Sequence, residues 1–191
     1  MTELFSWVIS AILIQNVVLA RFLGTCPFLG VSTKRESAVG MGLAVIFVIT
    51  ISSVVSWLLY MYVLVPFQMV YMRTIIFILV IASLVQIIEM FIKKVSPGLY
   101  RALGIYLPLI TTNCAILGMA TIVTSENFTF LKTFVYSFAS GLGFLLVLYI
   151  FSSIRERLEL APIPKGFKGV PIALIIAGLM AMIFARFAGI V

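Results

Sequence analysis

The chain has 191 residues, of which 63% are hydrophobic and 10% charged, and its mean hydropathy is +1.27. A soluble domain is nearer half apolar and a quarter charged, so the chain reads as an integral membrane protein. Its net charge is +7, but the cations sit in short loops between apolar runs, the pattern of topology signals and not of a nucleic-acid surface. There is no His and no Asp, which excludes a His-based metal site and a Ser-His-Asp triad, and two cysteines cannot build a disulfide framework.

Glu3, with no basic stretch before the first apolar run, marks that run as a retained span and not a cleaved signal. A bilayer core takes about 20 apolar residues per helix, and six runs meet that need. The first covers roughly 4–20, the second 38–65, ended by Pro66, and the third 74–92. The fourth is interrupted: 102–107, then Pro108 and the Thr111-Thr112-Asn113 step, then 114–123. The fifth covers 128–154 and the sixth 170–188. Unpaired backbone in lipid is too costly for anything but helices or closed barrels. The expected fold class is therefore an all-α polytopic membrane protein with six transmembrane helices, the two cysteines carried on broken helices.

Lys and Arg set the orientation. The first, third and fifth loops hold Arg21, Lys34, Arg35; Lys93, Lys94, Arg101; and Arg155, Arg157, Lys165, Lys168. The opposite side holds only Arg73 and Lys132, with Arg186 near the end of the last span. Basic loops stay cytoplasmic, so both termini are expected on the non-cytoplasmic side. Three spans per half force the second half to insert upside down relative to the first. The expected organisation is thus one membrane domain of two inverted three-helix repeats, 1–95 and 96–191. Their pseudo-two-fold axis lies in the membrane plane, where broken helices mark the functional centre of many transport folds.

One short stretch occurs twice. Cys26-Pro27-Phe28-Leu29-Gly30 and Cys114-Ala115-Ile116-Leu117-Gly118 share the pattern Cys-x-[Phe/Ile]-Leu-Gly, 88 positions apart. They contain the chain's only two cysteines. Three readings of the pair stay open at this point. Each can be a small buried apolar residue; the two can form a disulfide; or they can ligate an iron–sulfur cluster as thiolates. A cluster needs four ligands, so the third reading requires a second chain that gives two more. Zinc fits the ligand type but has little purpose inside a bilayer. Gly24, Gly30, Gly118 and Pro27 serve close packing or helix breaking, and can equally aim backbone amides at a bound group.

Gln15, Asn16, Thr25, Thr111, Thr112 and Asn113 surround the breaks. Capping of half-helices is the preferred reading over an ion path. Glu89, the one acid near a span interior, lies four residues before Lys93, which favours a helix-end ion pair over a proton relay. The longest polar loop, 155–169, reads as a solvated helix end and an orientation signal.

The stretches 22–32 and 106–118, with 155–159 and 171–180, resemble the RnfA/NqrE/NqrD family of membrane subunits, found in the Rnf and Nqr ion-translocating oxidoreductase complexes. The resemblance runs over essentially the whole chain. It implies a [2Fe–2S] cluster held by Cys26 and Cys114 together with two cysteines of a homologous six-helix, RnfE-like subunit. Gly24, Thr25 and Asn113 would shape its surroundings. It implies a subunit, not catalytic alone, of a redox-driven ion translocase that passes electrons between ferredoxin and NAD and moves Na⁺ or H⁺. The implied partners are further subunits like RnfB, RnfC, RnfD and RnfG, with membrane lipid around them and no nucleic acid. The implied location is the bacterial cytoplasmic (inner) membrane. The alternatives are an NqrE-type role, an iron-free inverted-repeat transporter and a purely structural membrane role.

Overall fold

The structure, a computed structural model, describes residues 7–95, 107–162 and 164–187. The described residues form eight helical segments besides the 3-10 turns Val70–Met72 and Lys165–Phe167. Helix α1 (7–14) ends in a π-helical turn, Ser10–Ile14, and α2 is the short Thr25–Val31. Helix α3, Arg35–Leu59, continues through a π turn, Tyr60–Leu64, and α4 is Arg73–Val95. Helices α5, Leu107–Thr111, and α6, Cys114–Ser125, precede α7, Phe130–Glu159, and α8, Val170–Phe187. Four stretches are long and apolar enough to cross a membrane: Arg35–Leu64, Val70–Met90, Pro108–Ser125 and Phe130–Glu159. Val170–Arg186 is a shorter apolar helix.

The central pair is α3 with α7. Small residues let their backbones meet. A Cβ on Gly141 would lie 2.9 Å from the Ile46 Cα, and one on Gly42 would run into Leu145. Ser52, Ser53 and Ser56 of α3 and Thr133, Ser137 and Ser140 of α7 are also buried. Their hydroxyls have no hydrogen-bond partner among the described residues, so what they contribute is small volume.

The two ends of α7 define the two sides of the molecule. At its C-terminal end Arg155 Nη1 donates to the Leu29 carbonyl and the Ser32 hydroxyl, both at 2.7 Å, and Glu156 pairs with Arg35. The first loop and the end of α7 therefore share a side, as the distribution of basic residues requires. At the other end Trp57 Nε1 donates to the Phe128 carbonyl at 2.7 Å. There the Lys132 ammonium lies 4.8 Å from the Trp7 ring and 4.0 Å from the Phe128 ring. Trp7 and Trp57 thus gather at one end, the position indoles favour at a membrane–water interface.

This geometry corrects the first span. The run 4–20 was expected as the first span, with Cys26 on a broken helix following it, and the structure places the break earlier, inside that run. Helix α1 starts beside Lys132 and stops after Ile14, and Asn16 Nδ2 donates to the Gly143 carbonyl, near mid-length of α7, at 3.0 Å. The chain resumes at Thr25 as α2, which ends beside Arg155. The first apolar run therefore begins a broken helix whose second half carries Cys26. The other expected runs correspond to helices with ends shifted by a few residues. Pro108 lies in α5, whose start borders residues that are not described, and a break among the described residues falls at Thr112 and Asn113. The first part of the fourth run, 102–106, Arg101 and the boundary between the two expected halves lie outside the described residues or at their edge.

Candidate functional site at the paired cysteines

Both cysteines sit in the first turn of a half-helix. Cys26 is the second residue of α2, preceded by Gly24 as N-cap, and Cys114 is the first residue of α6, preceded by Asn113 as N-cap. The two copies bury the same positions. Pro27 and Ala115 are buried, as are Phe28 and Ile116, while Leu29 and Leu117 are half-buried. Phe28 stacks on Phe151 of α7 at 4.1 Å between ring centroids. The repeated pattern is thus partly a packing pattern that holds each cysteine at the rim of the core.

The two breaks touch. Gly24 N–H donates to the Cys114 Sγ at 2.8 Å. A Cβ on Gly24 would lie 2.9 Å from the Phe144 ring and 3.1 Å from the Ala115 Cβ, and one on Gly118 would run into Leu23. Phe144 is at mid-length of the 30-residue α7, a helix about 45 Å long. The N-terminal ends of α2 and α6 therefore meet halfway between the two sides. From there α2 runs toward Arg155, and α6 runs toward Phe128 at the opposite end. The half-helices point in opposite directions.

The electrostatics of the junction favour negative charge. The N-terminal end of α6 carries orphan amide donors and the positive end of its dipole. Asn113 caps it: Oδ1 accepts from Ala115 N at 3.0 Å. That bond fixes the amide's orientation. It leaves Asn113 Nδ2, on a side chain 3% exposed, with no partner among the described residues. Thr25 is half-buried at the start of α2. Thr111, Thr112, Asn113 and Cys114, with Ile78, Ile81, Ala82 and Leu117, line a cavity of about 340 Å³ beside the Cys114 side chain.

The thiols are free, Cys26 exposed and Cys114 half-buried. Exposure of Cys26 speaks against its being a buried packing residue within this chain. Among the described residues no three of His, Cys, Asp and Glu gather into a metal-binding group. The donor set suits half of an iron–sulfur site: soft thiol ligands, a sulfur already accepting an amide hydrogen bond, and a buried amide donor beside it.

Several polar residues near the breaks make hydrogen bonds within the chain. Asn16 Oδ1 accepts from Val18 N at 3.1 Å, and Thr112 donates to the Pro108 carbonyl at 3.0 Å. Gln15 accepts from the Tyr136 hydroxyl at 2.8 Å. Glu89 is half-buried on α4 and does not line the cavity beside Cys114. Sequence reasoning missed Gly143 and Phe144, which receive Asn16 and Gly24. The small-residue run Ser140-Gly141-Leu142-Gly143 in the middle of α7 is the signal that marks this close approach.

A helical membrane protein with two cysteine-bearing half-helices that meet at their N-terminal ends defines the class. The sequence profile described as "Rnf-Nqr subunit, membrane protein" matches residues 4–191. The chain belongs to that family. It is 52% identical over 191 residues to a Syntrophotalea carbinolica protein named as the A-type subunit of an ion-translocating oxidoreductase complex, covering 100% of this chain and 99% of that one. The proteins of the same name from Alcanivorax borkumensis and Shewanella sediminis are each 53% identical, over 100% of this chain and 99% and 100% of theirs.

Proposed function

We propose that this chain is a membrane subunit of an ion-translocating ferredoxin:NAD oxidoreductase. In this reading it carries electrons across the bilayer at a [2Fe–2S] cluster shared with a homologous, RnfE-like chain, coupled to Na⁺ or H⁺ movement. The observation that carries the reading is the meeting of two cysteine-bearing half-helices at mid-length of α7, with the Gly24 amide on the Cys114 sulfur. The names of the full-length relatives support the oxidoreductase and ion-translocation part.

Cys26 and Cys114 would hold one side of the cluster, and two cysteines of the partner chain the other. When bound, the group accepts and passes on single electrons. A bilayer core is about 30 Å thick, so a relay at its middle splits one long crossing into two shorter ones. Gly24 N–H donates to one ligand sulfur, and the Asn113 amide is a second donor beside it. Donors at the sulfurs stabilise the more negative, reduced form and help set the potential. Leu23, Phe28, Ile116 and Phe144 shield the junction on the core side.

The expected test result is visible absorption and an electron paramagnetic resonance signal from the reduced complex, with iron matching one [2Fe–2S] group per pair of chains. The chain expressed alone should hold little iron, for want of two ligands. An iron-free complex with full ferredoxin–NAD activity overturns the proposal.

The six-crossing, inverted arrangement is part of the same reading. The opposed directions of α2 and α6, and the sharing of one side by the basic first and fifth loops, support it. Reporter fusions after Glu36 and at Val191 are expected to give a cytoplasmic first loop and an outside C-terminus. A cytoplasmic C-terminus rules the arrangement out.

A further inference from the structure

Far from the cysteines, the C-terminal end of α7 and the start of α8 enclose an open cavity of about 460 Å³. Arg155, Leu158 and Glu159 line it from α7, and Lys168, Gly169 and Ile172 from α8 and the turn before it. Nothing in the proposed electron path uses it.

Arg155 is held rigidly, because its Nη1 already donates to Leu29 and Ser32. A guanidinium has five donors, and among the described residues the others have no partner. Lys168 is exposed. The ion pair among the described residues is Arg35 with Glu156, so Lys168 and Glu159 are not paired with each other. Among the described residues that line it, two cations and one carboxylate leave one net positive charge. That suits a single negative charge, not the nearly double charge of a phosphate monoester at neutral pH.

The surroundings decide what carries the anion. Leu158 and Ile172 give the cavity an apolar wall, and Leu160, Phe167 and Val170, each next in sequence to a lining residue, are exposed at 89%, 53% and 59%. A free anion would leave these side chains uncovered, whereas an acyl chain covers them. The cavity lies on the side that gathers the basic loops, and basic pockets between helices on that side take lipid headgroups.

We propose that this cavity is a binding site for the phosphodiester headgroup of an anionic phospholipid. Arg155 and Lys168 face the phosphate, and the lipid's acyl chains lie over Leu158, Ile172 and the exposed apolar rim. The bound lipid tethers the end of α7 to the start of α8.

The test uses the assembled complex, purified in detergent and incubated with mixed phosphatidylglycerol and phosphatidylcholine. Retained lipid is quantified by mass spectrometry. Phosphatidylglycerol should be retained over phosphatidylcholine. Lys168→Gln should weaken its retention about fivefold, the factor for one lysine near an anionic surface. Lys94→Gln, at an exposed cation outside the cavity, should leave retention unchanged. Equal loss in the two variants, or no preference for phosphatidylglycerol, overturns the proposal. Displacement of the lipid by millimolar inorganic phosphate assigns the cavity to free phosphate and overturns it too.

Discussion

Replacing Cys26 or Cys114 by serine is expected to remove the iron signal from the assembled complex and abolish ferredoxin–NAD electron transfer. Serine offers a harder and far less acidic oxygen where the site needs a soft thiolate. Loss of groups that merely orient metal ligands costs about 10–100-fold in affinity or activity, so loss of a ligand should cost at least about 100-fold. The spans should still insert at wild-type level, because neither thiol holds a helix. Cys26 is exposed, and the Cys114 sulfur receives one hydrogen bond that a serine oxygen can also accept. Iron quantification and electron paramagnetic resonance on each variant, with membrane insertion measured alongside, check both halves of the expectation. Wild-type signal and activity in both variants would reduce the cysteines to packing residues. Loss in Cys114→Ser alone would point to a site within this chain that does not use Cys26.

The long helices were legible in the sequence because their cause is local. Each of α3, α4 and α7 is an unbroken apolar run of membrane-crossing length, and hydropathy reads such runs directly. The second break was legible for a similar reason, since Thr111-Thr112-Asn113 interrupts an apolar run with capping residues. The first break was expected at the cysteine stretch, but it begins at Gln15, inside an apolar run. Val17, Val18 and Leu19 lie in the irregular segment and are buried, so a hydropathy window sees a helix there. The helix is lost to distant partners: Asn16 gives its amide to the Gly143 carbonyl, and Gly24 turns left-handed at φ 80° beside Phe144. Those contacts span about two-thirds of the chain, and no local pattern encodes them. The pairing of the two cysteine stretches was legible as a repeat. That the amide of one break reaches the sulfur of the other was not.

Gly24→Ala is expected to damage the junction far more than the change of one methyl group suggests. At φ 80° any L-residue with a side chain is disfavoured by about 1–2 kcal/mol. The added Cβ would also press on the Phe144 ring at 2.9 Å, the Ala115 Cβ at 3.1 Å and the Asn113 Oδ1 at 3.3 Å. Phe144 and Ala115 are buried and cannot swing away, and such overpacking costs about 1–3 kcal/mol more. The relief available is to move the first break away from α6, which lengthens the bond from residue 24 to the Cys114 sulfur. Thermal denaturation of the complex should therefore shift downward. A redox titration followed by electron paramagnetic resonance should give a lower potential, since one donor to a ligand sulfur is weakened. Gly30→Ala is the matched control. Gly30 ends the first cysteine pattern as Gly118 ends the second, yet its added Cβ would meet only Leu109, at an ordinary 3.9 Å. That variant should keep both stability and potential. A Gly24→Ala complex that loses stability but keeps the wild-type potential would separate the two effects. Gly24 would then matter for packing alone, and its amide would have no part in tuning the centre.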